Sequence, residues 1–157
     1  MRLCPVRTIP VAALMLVLAM RPPAPAPTPI RAQPGPVGTW YTLSDTDRKP
    51  RGIIVIREVD GRLVGVLTGS FAAADSVSPL CDNCPGDRKG KPVFGMEIVR
   101  GMRPDGSGWS GGEILDPDTG KVYKANMHLE DNGNKLVVRG YIGMPLFGRS
   151  QTWVRAR

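Results

Sequence analysis

Apolar and polar residues alternate along most of the chain with a period of two, the spacing that sends successive side chains to opposite faces of a strand. The segment Val122 to Glu130 is the clearest case. Tyr123, Ala125, Met127 and Leu129 fall on one face, and Lys124, Asn126, His128 and Glu130 on the other. Comparable apolar runs occupy Val37–Leu43, Ile53–Val59, Arg62–Gly69, Phe94–Met102, Trp109–Leu115, Lys135–Gly143 and Arg149–Ala156. Turn residues stand between them: Asp60-Gly61, Pro104-Asp105-Gly106, Asp116 to Gly120 and Asp131 to Asn134. Asp-Gly between β-branched runs is a strong hairpin signal, because a two-residue I′ turn needs positive φ at both positions.

The pattern predicts eight strands and no helix long enough to cross over between parallel neighbours, which takes a dozen residues or more. Only the connection 70–93 has that length. The expected fold class is therefore all-β, an eight-stranded antiparallel up-and-down β-barrel, with a two-sheet sandwich as the alternative. Closure is preferred because it removes the exposed sheet edges. Gly65, Gly95, Gly111, Gly112 and Gly140 are placed inside strands by this reading. Glycine there suits the sharp bends of a small barrel.

The first 32 residues are of another kind. Arg2 and Arg7 precede the unbroken apolar run Val11 to Met20, and a Pro- and Ala-rich stretch follows. These are the parts of a secretory signal peptide, with cleavage expected after Ala32. A ten-residue helix reaches only about 15 Å, half of a bilayer core, so no transmembrane span is expected. The protein is expected to be exported, periplasmic or secreted, with residues 33–157 forming one domain. The whole chain carries a formal charge of +7, but Arg2, Arg7, Arg21 and Arg31 lie in the leader, leaving 17 basic against 14 acidic residues in 33–157. That near balance, without a basic tract interleaved with aromatics, argues against a nucleic-acid partner.

Several residues carry candidate chemistry. Cys81-Asp-Asn-Cys84 sits in the long connection, and an exported protein can keep it as a disulfide. A redox pair and half of a metal site are the alternatives. Pro85-Gly86 follows directly, so no helix begins there to activate a thiol. Zinc would need two more ligands, while residues 33–157 hold one His, His128, and no other Cys. No metal and no cofactor are expected. Glu97 and Glu113 fall on neighbouring strands, Glu97 sharing a face with Val99, and Glu113 with Trp109 and Leu115. Pointing inward they would form a raised-pKa carboxylate pair with Arg139 or Tyr141 as partners. A register-fixing polar network or solvated charges are the plainer readings. Met96, Tyr123 and Met127 complete the candidate cavity lining or buried polar network, together with Glu97, Glu113, Arg139 and Tyr141.

Gly38-Thr-Trp40 on the first strand and Trp153-Val-Arg155 on the last resemble the lipocalin and fatty-acid-binding (calycin) pattern. The resemblance implies that Arg155 packs across Trp40 at the closed end of the barrel. Lys91-Pro-Val-Phe-Gly95, Gly112-Glu-Ile-Leu-Asp-Pro117, Gly120-Lys-Val-Tyr123, Val138-Arg-Gly-Tyr-Ile-Gly143 and Gly148-Arg-Ser-Gln-Thr-Trp153 occur in order around the Cys pair. With these motifs the chain resembles, from about 37 to 156, the exported bacterial family known as domain of unknown function 2147. Its pattern leads one to expect a Cys where this chain has Ala125. The resemblance implies a lipocalin-like barrel and no established activity. The expectation is a monomeric binder of a small apolar, lipid-like or amphipathic ligand, with loop 70–93 at its mouth. A filled scaffold barrel of the cell envelope is the alternative. An enzyme or thiol-redox protein comes third, since no catalytic motif is present.

Overall fold

A computed structural model of the protein describes residues 35–71 and 79–157. The expected leader, 1–32, and the middle of the long connection lie outside the described residues. Eight strands follow in chain order: β1 Gly38–Leu43, β2 Pro50–Val59, β3 Arg62–Ser70, β4 Met96–Asp105, β5 Gly108–Asp116, β6 Lys121–Glu130, β7 Lys135–Tyr141 and β8 Arg149–Arg155. Each pairs antiparallel with its sequence neighbours, and β1 pairs with β8 to close the barrel. The sandwich alternative is thereby excluded. Among the described residues no helix is long and apolar enough to cross a membrane.

Local chemistry explains the hairpins. Asp60 and Gly61 both take positive φ, 50° and 70°, and Val59 pairs with Arg62, so the turn is the two-residue type its sequence predicts. Strand ends differ from expectation where backbone chemistry intervenes. Phe94 and Gly95 precede β4, and β7 stops at Tyr141, short of the left-handed Gly143.

Two bulges in the β3–β4 ladder break the strict alternation. Gly65 pairs with Val99 but Val66 with Glu97, leaving Ile98 as an extra residue. Ile98 and Val99 are consequently both buried. A further shift lies between Trp109 and Gly112 in the β5–β6 ladder. Trp40, Ile54, Ile56, Val99, Met102, Ala125 and Leu136 have no solvent exposure and anchor one continuous core.

Candidate functional site

One end of the barrel is sealed by the first and last strands. The Arg155 guanidinium lies over the Trp40 ring, 4.2 Å from its centre. Its Nε donates to the Gly133 carbonyl at 2.8 Å, and its Nη atoms donate to the carbonyls of Val37 and Gly35. Trp40 Nε1 donates to the Pro36 carbonyl at 2.8 Å. Gly38 is required beside them: its φ is +137°, and a Cβ there would stand 2.9 Å from Arg155 Nη1. Cation–π attraction and satisfied donors thus converge on one residue.

The other end is hollow. A cavity of about 550 Å³ opens between the β1–β2 segment, the described flanks of the long connection, the β5–β6 turn and the β7–β8 loop. Its wall is mixed, with Leu67, Phe94 and Ile114 among the apolar lining residues and Thr42, Asp116 and Tyr123 among the polar ones. Polar groups gather at the rim. Arg51 on β2 reaches Asp118 in the β5–β6 turn at 2.6 Å. Arg149 pairs with Asp45, which also accepts from Gln151 Nε2. Pro79, Val93 and Phe94, from the flanks of the long connection, line the same opening.

Among the candidate lining residues, Tyr123 and Tyr141 border this cavity. Met96 and Met127 do not, being packed into the buried core. Glu97 and Glu113 do not turn inward. Their side chains keep 44% and 39% exposure and face cations of the connecting loop and of β4. For Glu97 the bulge at Ile98 accounts for this, since the extra residue puts Glu97 and Val99 on opposite faces. Arg139 and Tyr141 are not their partners either. Arg139 Nε and Nη2 donate to the carbonyls of Pro145 and Leu146, and Nη1 to Ser150 Oγ.

The carboxylates instead fasten the long connection to the barrel. Cys81 and Cys84 are joined as a disulfide, with Cys81 Sγ 3.5 Å from the Pro117 carbonyl oxygen. Arg88 is buried and donates to Glu113 Oε1 at 2.8 Å and to the Glu97 carbonyl. Arg100 binds Asp87 through both Nη atoms and Glu97 through Nε. The Arg100 guanidinium holds the Asp87 carboxyl well below its ordinary range, at about 2. Arg88, Arg100 and the cavity wall residues were not legible as site residues. A charged residue in a Gly-Asp-Arg turn looks like a solvated one until the fold buries it. A second depression lies on the outer wall between Arg62, Arg100, Arg103 and Lys124, and it is open to solvent.

Comparison with known proteins matches the whole barrel to one family. The profile described as "uncharacterized protein conserved in bacteria (DUF2147)" covers residues 38–155, and the chain belongs to that family. A search of curated proteins gives no match. Among solved structures, protein HP1028 from the human pathogen Helicobacter pylori, described as belonging to the lipocalin family, superposes with a TM-score of 0.65 at 17% identity. The match covers 77% of this chain and 82% of that one, and the fold is lipocalin-like.

Proposed function

We propose that this barrel holds one small amphipathic molecule, its apolar part against Leu67, Phe94 and Ile114 and its polar end at the rim beside Arg51, Tyr123 and Gln151. The observation that carries the reading is the cavity itself. Its volume of about 550 Å³ falls within the roughly 300–1,000 Å³ of small-molecule sites. Apolar and polar groups share its lining, which suits a molecule that carries both.

Binding is favoured over turnover because Glu97 and Glu113 face outward against Arg88 and Arg100. The cavity's own acids are also engaged, Asp45 by Arg149, Asp118 by Arg51 and Asp116 by Thr119. Binding is favoured over a filled scaffold because a cavity of about 550 Å³ remains open beside the packed core. The disulfide and the leader-like residues 1–32 support export to an oxidising compartment.

Native mass spectrometry of protein isolated from the exporting cell tests the proposal. The expected result is an adduct of lipid-like mass that survives purification and disappears in Val138→Trp, whose indole fills the cavity. An adduct-free protein that also fails to enhance the emission of an amphiphilic dye would overturn it.

A further inference from the structure

The β7–β8 loop displays apolar side chains where a water-soluble surface has no use for them. Ile142, Met144, Leu146 and Phe147 are 70%, 61%, 77% and 75% exposed. The display is rigidly built. Arg139 donates to the carbonyls of Pro145 and Leu146 at 2.7 and 3.0 Å, fixing the 3₁₀ turn Pro145–Phe147. Gly148 lets the loop return close to the barrel: a Cβ there would lie 2.7 Å from the Gly140 carbonyl oxygen and 2.9 Å from Tyr141 Cβ. Held this way, the backbone satisfies its own polar groups while the side chains project outward.

We infer that this loop docks the barrel mouth onto a lipid bilayer, Leu146 and Phe147 entering the headgroup–acyl boundary. Four observations select a bilayer over a protein partner. First, the display is a six-residue projecting tip, whereas a standard protein interface takes roughly 800 Å² from each side. Second, a tip of this size suits the shallow insertion, about 5–10 Å, of interfacial segments. Third, residues 139–151 contain no Asp or Glu, and the acid that reaches them, Asp45, is paired with Arg149, so the tip itself carries no negative charge against a headgroup layer. Fourth, Ile142 and Phe147 line the cavity as well as facing solvent, so an apolar path runs from the tip into the barrel. An amphipathic molecule could then pass between bilayer and cavity without crossing water. The purpose of the docking rests on the cavity reading, although the exposed tip itself does not.

Flotation of the full chain with phosphatidylcholine vesicles, with and without phosphatidylglycerol, provides the test. Leu146→Glu combined with Phe147→Glu should reduce vesicle affinity by about tenfold or more, whereas Val59→Glu should stay within about twofold. Val59 is also an exposed apolar residue, but it sits in the β2–β3 hairpin. Every variant carries the same residues 1–34, so any contribution of Val11–Met20 is common to all. The emission of Phe147→Trp after subtraction of the unaltered chain, whose Trp40, Trp109 and Trp153 are common to both, should shift to the blue on vesicles. That signal comes from the loop and needs no destabilised variant. Unchanged flotation of the loop variant, with Trp emission still that of a water-exposed indole, would overturn docking. So would a dimer seen by sedimentation that the same substitutions dissolve. Ligand mass is read separately. Docking without a bound adduct removes the cavity reading alone, and an adduct without docking removes only this inference.

Discussion

Arg155 does through shape what a lysine cannot. Its planar guanidinium covers the Trp40 indole and serves three carbonyls, at Gly133, Val37 and Gly35, from one rigid fork. Arg155→Lys keeps the charge and loses the geometry, so it should lower stability by about 2 kcal/mol in urea unfolding. Arg88 obeys the opposite logic. It is buried, its Nε has no partner among the described residues, and the Glu113 carboxylate is its one side-chain counter-charge there. Glu113→Ala should therefore destabilise more than Arg88→Met, because the former strands a buried cation and the latter removes it. Equal costs in thermal unfolding would refute that ordering. The two arginines also mark what was readable. Arg155 stands in a recognisable strand pattern with Gly38 and Trp40, whereas nothing around Arg88 announces burial.

Among the elements, strands joined by tight turns were the legible part. Period-two alternation and the Asp60-Gly61 signal are local properties, and local chemistry decides them. Bulges are not local in that sense. Whether Ile98 is inserted opposite Val66 depends on the partner strand, so residue counting alone places Glu97 with the buried Val99. The plainer reading of Glu97 and Glu113 as a polar network or solvated charges needs no inward face. The long connection is held by three devices: the Cys81–Cys84 bridge, the Arg88–Glu113 contact and the Arg100–Asp87 clasp. Replacing both cysteines with serine should cost about 2 kcal/mol at most, since so short a closed loop loses little chain entropy. The clasp has its own pH dependence. A hydrogen bond from Arg100, with the nearby positive charge, draws the Asp87 carboxyl from its ordinary 3.8 to about 2. Its contribution is fully present above 3.8 and lost as pH falls toward 2. Amide protection in Gly86–Lys91, taken relative to the intrinsic exchange rate at each pH, should fall over that interval, and Asp87→Asn should abolish this pH dependence while leaving protection low near neutrality.

The molecule as a whole is a barrel packed at one end and hollow at the other. Trp40, Ile56, Met102 and Leu136 are wholly buried in the core, while the mouth is built partly from exposed connections such as Asp118-Thr119 and Ile142–Phe147. Local opening free energies follow contact density, so hydrogen exchange should be slowest in the central residues of β1, β4 and β7 and faster at the mouth. Bound amphiphile should slow exchange at the mouth and leave the packed end unchanged. Protection spread evenly over both ends would contradict a ligand confined to the cavity.

Closure of the sheet by β1 and β8 has a consequence for how the chain finds its fold. Trp40 pairs with Arg155, and the Ala156 amide donates to the Thr39 carbonyl, so the ends of the domain touch although almost its whole length separates them. That seam carries the largest loop-closure entropy of any strand pair in the molecule, whereas the hairpins carry little. The seam is therefore the pairing expected to form last. A circular permutant joining residue 157 to residue 35 through a short glycine linker, with new ends cut at the exposed Asp60-Gly61 turn, would turn it into a local hairpin. Such a protein should refold faster than the original order while keeping the same cavity, and stopped-flow fluorescence of Trp40 and Trp153 would show it.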